Sequence, residues 1–210
     1  TSPVMVSSTS SVLAGATGSA FDAAGSRVFV SGASASTLKV FDVSDPWAAP
    51  TVVGTLTDNV KFAKIQGLAY AAQRVFVAAT DANCVSVVDV SVSSSPTLLG
   101  SVCNPAGLSG PVGIAFDEPT RRAFVTYRDT NALAVVGVPD LATPTVDSQL
   151  LDATNLEDAR GVAYDAANEV AFVAAHGTND GATPGGLTAV KICTGSTTAP
   201  TTAAPTTAAP

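Results

Sequence analysis

Residues that could support catalysis are few in this chain. His176 is the only histidine and lies in the loop His176-Gly-Thr-Asn-Asp-Gly181. A Ser-His-Asp triad would have to be built around it, and no nucleophile-elbow pattern accompanies it. We therefore interpret His176 as a solvated loop residue and expect no enzymatic activity.

Acidic and amide side chains recur at one type of turn, in Asp81-Ala-Asn83, Asp129-Thr-Asn131 and Asn179-Asp180. A shared calcium loop is conceivable, but each turn has too few carboxylates for the about six to eight oxygen ligands that calcium takes. Asx residues in tight turns explain the pattern better. One histidine and three scattered cysteines match no zinc-ligand spacing. We expect no metal site.

Two further features could contact a ligand. Trp47, the only tryptophan, follows Asp-Pro46 and could stack on a sugar or a partner, or pack under its own loop. The acidic residues Asp152, Glu157 and Asp158 precede the fourth copy of a repeat described below. We interpret them as a solvated rim, with calcium or sugar contact as the alternative.

The charge balance excludes two classes of partner. The chain has 10 Lys+Arg against 17 Asp+Glu, a net charge of −7, and no basic run for nucleic acid or an anionic membrane. No apolar run reaches the roughly 20 residues that span a bilayer, so we expect no membrane insertion. The chain starts at Thr1 without a charged-then-apolar leader, and we expect a mature secreted product.

A short pattern recurs four times, with 49, 46 and 48 residues between successive glycines: Gly18-Ser-Ala-Phe21, Gly67-Leu-Ala-Tyr70, Gly113-Ile-Ala-Phe116 and Gly161-Val-Ala-Tyr164. Other apolar runs recur in the same order, starting at Val28, Val75, Ala123 and Ala171, at Leu38, Val85, Leu133 and Leu187, and at Pro50, Pro96 and Pro144. Each run predicts a strand. Four strands in a unit of roughly 47 residues are typical of a β-propeller blade.

We therefore predict an all-β, four-bladed β-propeller over residues 1–193, with repeats at about 3–49, 50–95, 96–143 and 144–192. The last repeat stops after its third strand, at Ile192, whereas an orphan run, Pro3-Val-Met-Val6, precedes the first. We expect this N-terminal strand to become the outer strand of the last blade and to close the ring. Small residues in the Gly-x-Ala-aromatic strands fit a narrow four-bladed axis. The alternative is a half-ring that pairs with a second copy to make eight blades.

The second and third strands resemble the surface-protein propeller repeats named for their LVIVD and YVTN motifs. The residues that carry the resemblance are 38–46 (LKVFDVSDP), 76–90 (FVAATDANCVSVVDV) and 110–117 (GPVGIAFD). The resemblance covers about residues 3–192 and implies a propeller in a secreted or cell-surface microbial protein, without implying an activity. Gly137 and Lys191 depart from the pattern, since they replace the Asp that ends the third strand.

The cysteines predict one disulfide. Pairing the third and fourth strands of the second repeat places Cys84 opposite Cys103, within disulfide reach, and Thr37 and Thr57 hold the equivalent positions in the first repeat. A disulfide here indicates an oxidising compartment; the alternative is two buried free thiols. Cys193 is left over at the end of the propeller, as either an exposed free thiol or an intermolecular bridge.

The composition changes abruptly at residue 194, where TGSTTAPTTAAPTTAAP begins. This segment has no charged or large apolar side chain, so it cannot join the core, and its prolines favour an extended, polyproline-II-like chain. Such tracts are typical of O-glycosylated stalks; a naked flexible linker is the alternative. The candidate O-glycosylation sites are Thr194, Thr197, Thr198, Thr201, Thr202, Thr206 and Thr207, and the candidates for proline hydroxylation and glycosylation are Pro200, Pro205 and Pro210.

Three functional hypotheses follow. The first is a non-catalytic structural subunit of an extracellular glycoprotein fibril or surface layer, whose partners are other copies of itself or neighbouring fibril subunits and whose only additions are covalent glycans. The second is an adhesin or lectin-like head that binds carbohydrate through loops at one face, favoured by a concave pocket lined by Trp47, Tyr127 or Arg128. The third, a secreted hydrolase or lyase, would need titratable groups converging in the central channel.

Overall fold

The computed structural model describes residues 4–9, 13–178 and 184–193. These residues form four antiparallel sheets and one short 3-10 turn, Ala33–Ala35. Within them, no helix is long and apolar enough to cross a bilayer.

The first three sheets have four strands each and the last has three, in the chain order β1-β2-β3-β4, β5-β6-β7-β8, β9-β10-β11-β12 and β13-β14-β15. We number them sheets 1 to 4. The strands are β1 Ala16–Asp22, β2 Arg27–Gly32, β3 Thr37–Asp42, β4 Thr51–Thr57, β5 Ile65–Ala71, β6 Arg74–Ala79, β7 Cys84–Asp89, β8 Thr97–Cys103, β9 Pro111–Asp117, β10 Arg122–Tyr127, β11 Ala132–Gly137, β12 Thr145–Leu151, β13 Ala159–Asp165, β14 Val170–Gly177 and β15 Pro184–Lys191.

Burial explains why the middle strands are almost continuously apolar. In sheet 2, β6 and β7 are covered on both faces, because sheet 1 packs on one side and sheet 3 on the other. A strand buried on both faces has no solvent side for polar residues to occupy. The outer strand β8 is only partly covered, and its side chains vary from half-buried to exposed.

The same aromatic contact joins each sheet to the next. A phenylalanine in the second strand stacks on the aromatic residue in the first strand of the following sheet. The three stacked pairs, with their ring-centroid separations, are Phe29 with Tyr70 at 5.1 Å, Phe76 with Phe116 at 3.9 Å, and Phe124 with Tyr164 at 3.9 Å.

The repeated glycines lie where the first strands of adjacent sheets approach most closely. A Cβ atom on Gly67 would clash with the carbonyl oxygen of Val112 in the next sheet, and one on Gly113 would clash with that of Arg160. Gly18 has the same relation to the carbonyl oxygen of Gln66. Because only glycine lets two backbones come this close, it marks the innermost strand of each repeat.

The four sheets form an open arc. The first strands pack in succession, β1 on β5, β5 on β9 and β9 on β13, whereas β13 and β1 have no packing of this extent. Each of the three steps between neighbouring sheets carries stacked aromatic rings, and these three steps do not bring the last sheet back to the first.

The expected closure by the N-terminal strand is therefore not confirmed. Residues 4–9 form no strand, and the side chains of Val4, Met5 and Val6 are exposed. Sheet 4 consequently has three strands among the described residues, and its outermost strand, β15, has no outer partner there.

The predicted disulfide is confirmed. Cys84, at the start of β7, is the register partner of Cys103 at the end of β8, and their Cα atoms are 4.1 Å apart. The Thr37 and Thr57 pair has the same register between β3 and β4. The bond indicates that the chain folds in an oxidising environment.

We expect the double substitution Cys84→Thr/Cys103→Thr, which copies the pair in sheet 1, to lower the free energy of unfolding by about 3 kcal/mol. The reason is that the bond restricts a loop with a sequence separation of 19 in the unfolded chain. Urea unfolding followed by circular dichroism measures the change. Cys193→Ser is the matched control and should leave stability unaltered; an equal loss in both variants would contradict the prediction.

Candidate functional site

One concave feature of the described residues is a charged cleft of about 630 Å³ between sheets 3 and 4. It lies at the end of the sheets where β10 turns into β11 and where β12 connects to β13. We call it the 3/4 cleft, and its lining consists of Arg128, Asp129, Asn131, Glu157, Asp158, Arg160, Gly177 and Thr178.

Backbone-directed hydrogen bonds hold the walls of the 3/4 cleft in place. The amide group of Asp158 donates to Asn131 Oδ1 at 3.0 Å, which ties the loop before sheet 4 to a turn of sheet 3. The amide group of Gly177 donates to the carbonyl oxygen of Glu157 at 3.1 Å. The cleft is thus fixed by contacts that do not depend on its charged side chains.

The charges in the cleft are mostly paired. Arg160 donates from Nη2 and Nε to Asp158 Oδ2, at 2.7 and 3.0 Å, and Arg128 Nε donates to Asp129 Oδ1 at 2.9 Å. Glu157 forms no ion pair within the described ranges. Two guanidinium groups and three carboxylates alternate donors with acceptors, which suits a ligand rich in hydroxyl groups better than a simple anion.

His176 lies beside the cleft, as a half-exposed side chain. Its Nδ1 atom is 3.4 Å from Asp158 Oδ2, but the same carboxylate oxygen accepts the two bonds from Arg160. The other contact of Nδ1 is with the carbonyl oxygen of Gly177 at 3.3 Å. His176 thus lies near the end of strand β14 and not in a loop as expected, and its side chain is half exposed.

The recurring Asx turns have a structural role. Asn83 and Asn131 both adopt the left-handed conformation, with φ of 49° and 51°. Asn83 Oδ1 accepts from the amide group of Gly110 at 3.2 Å, just as Asn131 accepts from Asp158. Each asparagine therefore connects its turn to the loop before the next sheet. Asn179 and Asp180 lie outside the described residues.

The acidic residues before sheet 4 do not act as one group. Asp152 accepts from the side chain of Asn155 at 2.7 Å and from the backbone amide groups of Thr154 and Asn155 at 2.9 Å. The side-chain bond from Asn155 is the largest cause that holds the pKa of Asp152 below its usual value. Glu157 and Asp158 line the cleft instead. In the described ranges, no group of three His, Cys, Asp or Glu side chains could hold a metal ion.

The structure separates the three residues proposed to line a ligand pocket. Arg128 lies in the 3/4 cleft, whereas Tyr127 is fully buried in the core between sheets 2 and 3. Trp47 is 79% exposed in the connection between β3 and β4, at the opposite end of the sheets. Trp47 therefore does not pack under its loop, and it could meet a ligand only outside the cleft.

Of the remaining predicted sites, Cys193 is an exposed free thiol within the described chain. The candidate glycosylation sites from Thr194 to Pro210 lie outside the described residues. Arg160 is the cleft residue that the sequence analysis missed. Arg160 directly precedes the repeat glycine Gly161, and this position lies near the start of the innermost strand. The repeat could therefore have indicated Arg160 as a candidate.

No known protein family matches this chain, and no curated protein matches it either. Solved structures do resemble it. The hydrazine synthase of Kuenenia stuttgartiensis aligns with a TM-score of 0.66 at 16% identity, over 87% of this chain and 47% of that one. A protein from Lactobacillus plantarum aligns with a TM-score of 0.65 at 16% identity, over 84% and 56%.

The periplasmic gluconolactonase of Pseudomonas aeruginosa aligns with a TM-score of 0.59 at 17% identity, over 75% of this chain and 49% of that one. The chain thus spans about half the length of the structures that it resembles. At these identities the likeness shows the fold alone, which is β-propeller-like.

The buried Tyr127 gives a pH-dependent prediction. Its hydroxyl group has no hydrogen-bond partner, and burial raises the pKa of this phenol above its usual value of 10.0. The folded chain therefore keeps the proton at a pH where the unfolded chain has lost it, so stability falls as pH rises above about 10.

We expect Tyr127→Phe to leave stability at neutral pH unchanged or slightly higher, and to remove up to about 1.4 kcal/mol per pH unit from the alkaline decline. Urea unfolding between about pH 8 and 11 measures both effects. Tyr164→Phe is the control. The Tyr164 ring is only half-buried, so ionising its hydroxyl group costs less free energy of desolvation. An unchanged alkaline slope in the Tyr127 variant would contradict the assignment.

Proposed function

We propose that this chain is a non-catalytic structural subunit of an extracellular glycoprotein fibril or surface layer. The sheets form a rigid bead, and residues 194–210 form a glycosylated stalk that spaces one bead from the next. Its partners are other copies of itself or neighbouring subunits of the same assembly.

The carrying observation is the direct attachment of a disulfide-bonded, sheet-only head to a tail with seven Thr and three prolines at five-residue spacing. The disulfide supports an oxidising compartment such as the cell exterior. The resemblance to LVIVD and YVTN surface repeats supports the same location. Thr- and Pro-rich composition favours both O-glycosylation and an extended chain.

The stalk is tested by intact mass. We expect the mass of the protein purified from its natural source to exceed that of its bare polypeptide and to fall to it after chemical deglycosylation. Proteolytic fragments should place the added mass on residues 194–210, with fragments of the sheets unmodified. A source protein with the bare polypeptide mass would refute the glycosylated stalk.

A second candidate function is carbohydrate binding by the head, and the 3/4 cleft is the observation that favours it. Glu157 presents an acceptor without an ion-pair partner among the described residues, and the paired arginines present donors beside it. Alternating donors and acceptors can hydrogen-bond the hydroxyl groups of a sugar. In this case the chain would act as an adhesin or lectin-like head.

A glycan array followed by affinity measurement tests this candidate. We expect Glu157→Gln and Arg160→Ala each to weaken binding of a selected sugar by about tenfold or more, because each removes a charge-assisted hydrogen bond. Trp47→Ala, at the other end of the sheets, is the control and should bind as the native chain does. Loss of binding in the Trp47 variant alone would show that the sugar binds outside the 3/4 cleft and would contradict this assignment.

A further inference from the structure

Sheets 1 and 4, at the two ends of the arc, carry complementary halves of the aromatic contact that joins all neighbouring sheets within the chain. Each of the three observed contacts pairs a second-strand phenylalanine with a first-strand aromatic residue of the following sheet. In sheet 4 the phenylalanine is Phe172, which is 37% exposed; in sheet 1 the aromatic residue is Phe21, which is 59% exposed. The rings equivalent to Phe172, namely Phe29, Phe76 and Phe124, are all fully buried.

Two rows of the outward face of sheet 4 are apolar across all three strands, and the row beside them consists of Asp165, Val170 and Lys191. The register places Ala163, Phe172 and Ala189 in one row and Gly161, Ala174 and Leu187 in the next. Leu187 is 72% exposed, whereas the equivalent Leu133 of sheet 3 is buried beneath sheet 4. This face therefore has the composition of an interface between sheets and lies open to solvent.

The outward face of sheet 1 has the matching character. Phe21 and Val28 are register partners, as are Ser19 and Val30, and these side chains are exposed or half-buried. Their equivalents Val75 and Val77 in sheet 2 are fully buried under sheet 1. Lys39 is the charged residue of this face, and its aliphatic stem can pack while its ammonium group reaches solvent.

The contact between a repeat glycine and a carbonyl oxygen of the next sheet also has its two halves at the two ends of the arc. The glycines of sheets 1, 2 and 3 each lie against the carbonyl oxygen of the residue that precedes the next glycine. A Cβ atom added to Gly161 would have only the Cβ atom of Ala174 within 4 Å among the described residues, at 3.7 Å, so this side of the contact is unfilled. The residue that would fill it, by equivalence, is the one before Gly18, which is the exposed Thr17.

We propose that the outward face of sheet 4 binds the outward face of sheet 1 in a second copy of this chain, so that two copies close one ring of eight sheets. Phe172 of each copy stacks on Phe21 of the other, and Gly161 of each meets the carbonyl oxygen of Thr17 of the other. Because both contacts in the pair are the same, the ring closes with two-fold symmetry. One chain covers about half of the similar solved structures, so two copies have about the length of one such structure.

The edge of β15, which has no outer partner among the described residues, gains one in the same arrangement. In sheets 1 to 3, the outer strand is followed along the chain by the first strand of the next sheet. The segment before β1, with the exposed side chains of Val4, Met5 and Val6, therefore belongs beside β15 of the other copy. It adds there as a fourth strand, so the ring has no open sheet edge of this kind. The proposal requires neither the glycosylated tail nor a fibril.

Sedimentation equilibrium of the full chain tests the proposal. We expect a mass of two copies, and monomers for both Phe21→Asp and Phe172→Lys. An equimolar mixture of these two variants should recover the two-copy mass, because one contact in the mixed ring is native and the other pairs Asp with Lys. Val92→Asp, on an exposed loop residue away from both faces, is the control and should remain a dimer.

Gly161→Ala is a second variant that keeps the test decisive if the charged variants fold poorly. The added methyl group meets only ordinary contact within one chain, so thermal unfolding of the isolated chain should be unchanged while dimerisation weakens by tenfold or more. A monomeric native chain, or a dimer unaffected by all three variants, would overturn the proposal. Open oligomers that grow beyond two copies would overturn the closed ring.

Discussion

The structure depends on the close approach of the innermost strands of adjacent sheets. At Gly67 and Gly113 the neighbouring backbone occupies the volume that a Cβ atom would need, so the carbonyl oxygens of Val112 and Arg160 pack directly on glycine. This approach sets the spacing at which the stacked phenylalanine and tyrosine rings fill the wider part of each layer. Each sheet is otherwise a small antiparallel unit that could not bury both of its faces alone, and the stability of the chain comes from these three layers.

The disulfide and the asparagine turns stabilise sheets whose arrangement the innermost strands have already set. The Cys84–Cys103 disulfide fastens an outer strand that is only partly covered by neighbours. The asparagine turns tie each sheet to the loop that begins the next, and the same bond at Asn131 shapes the 3/4 cleft. The position of this cleft therefore follows from the way in which the two sheets are joined. Its charged side chains can vary without disturbing that joint, which is the usual relation between a propeller rim and its scaffold.

The proposed roles place function at the ends and the tail of the chain. In these proposals, an arc of sheets with complementary outer faces is the unit for assembly, and the composition of the Thr- and Pro-rich segment favours an extended connection. These two properties are independent, since one rests on sheet packing and the other on composition. A structural subunit needs both, whereas a carbohydrate-binding head needs only the cleft.

The sequence by itself determined the features that local chemistry controls. Four copies of a four-strand pattern predicted the sheets, strand register predicted the disulfide, and the recurrence of Asx residues predicted the turns at Asn83 and Asn131. Only the tertiary structure decided that the ring is open, because the angle between sheets depends on the summed volume of side chains packed between them. The same is true of the 3/4 cleft, whose Asp129 and Arg160 are distant in sequence and meet through the packing of sheet 4 on sheet 3. Periodicity reports which face of a strand is buried, but it does not report how far one sheet turns from the next.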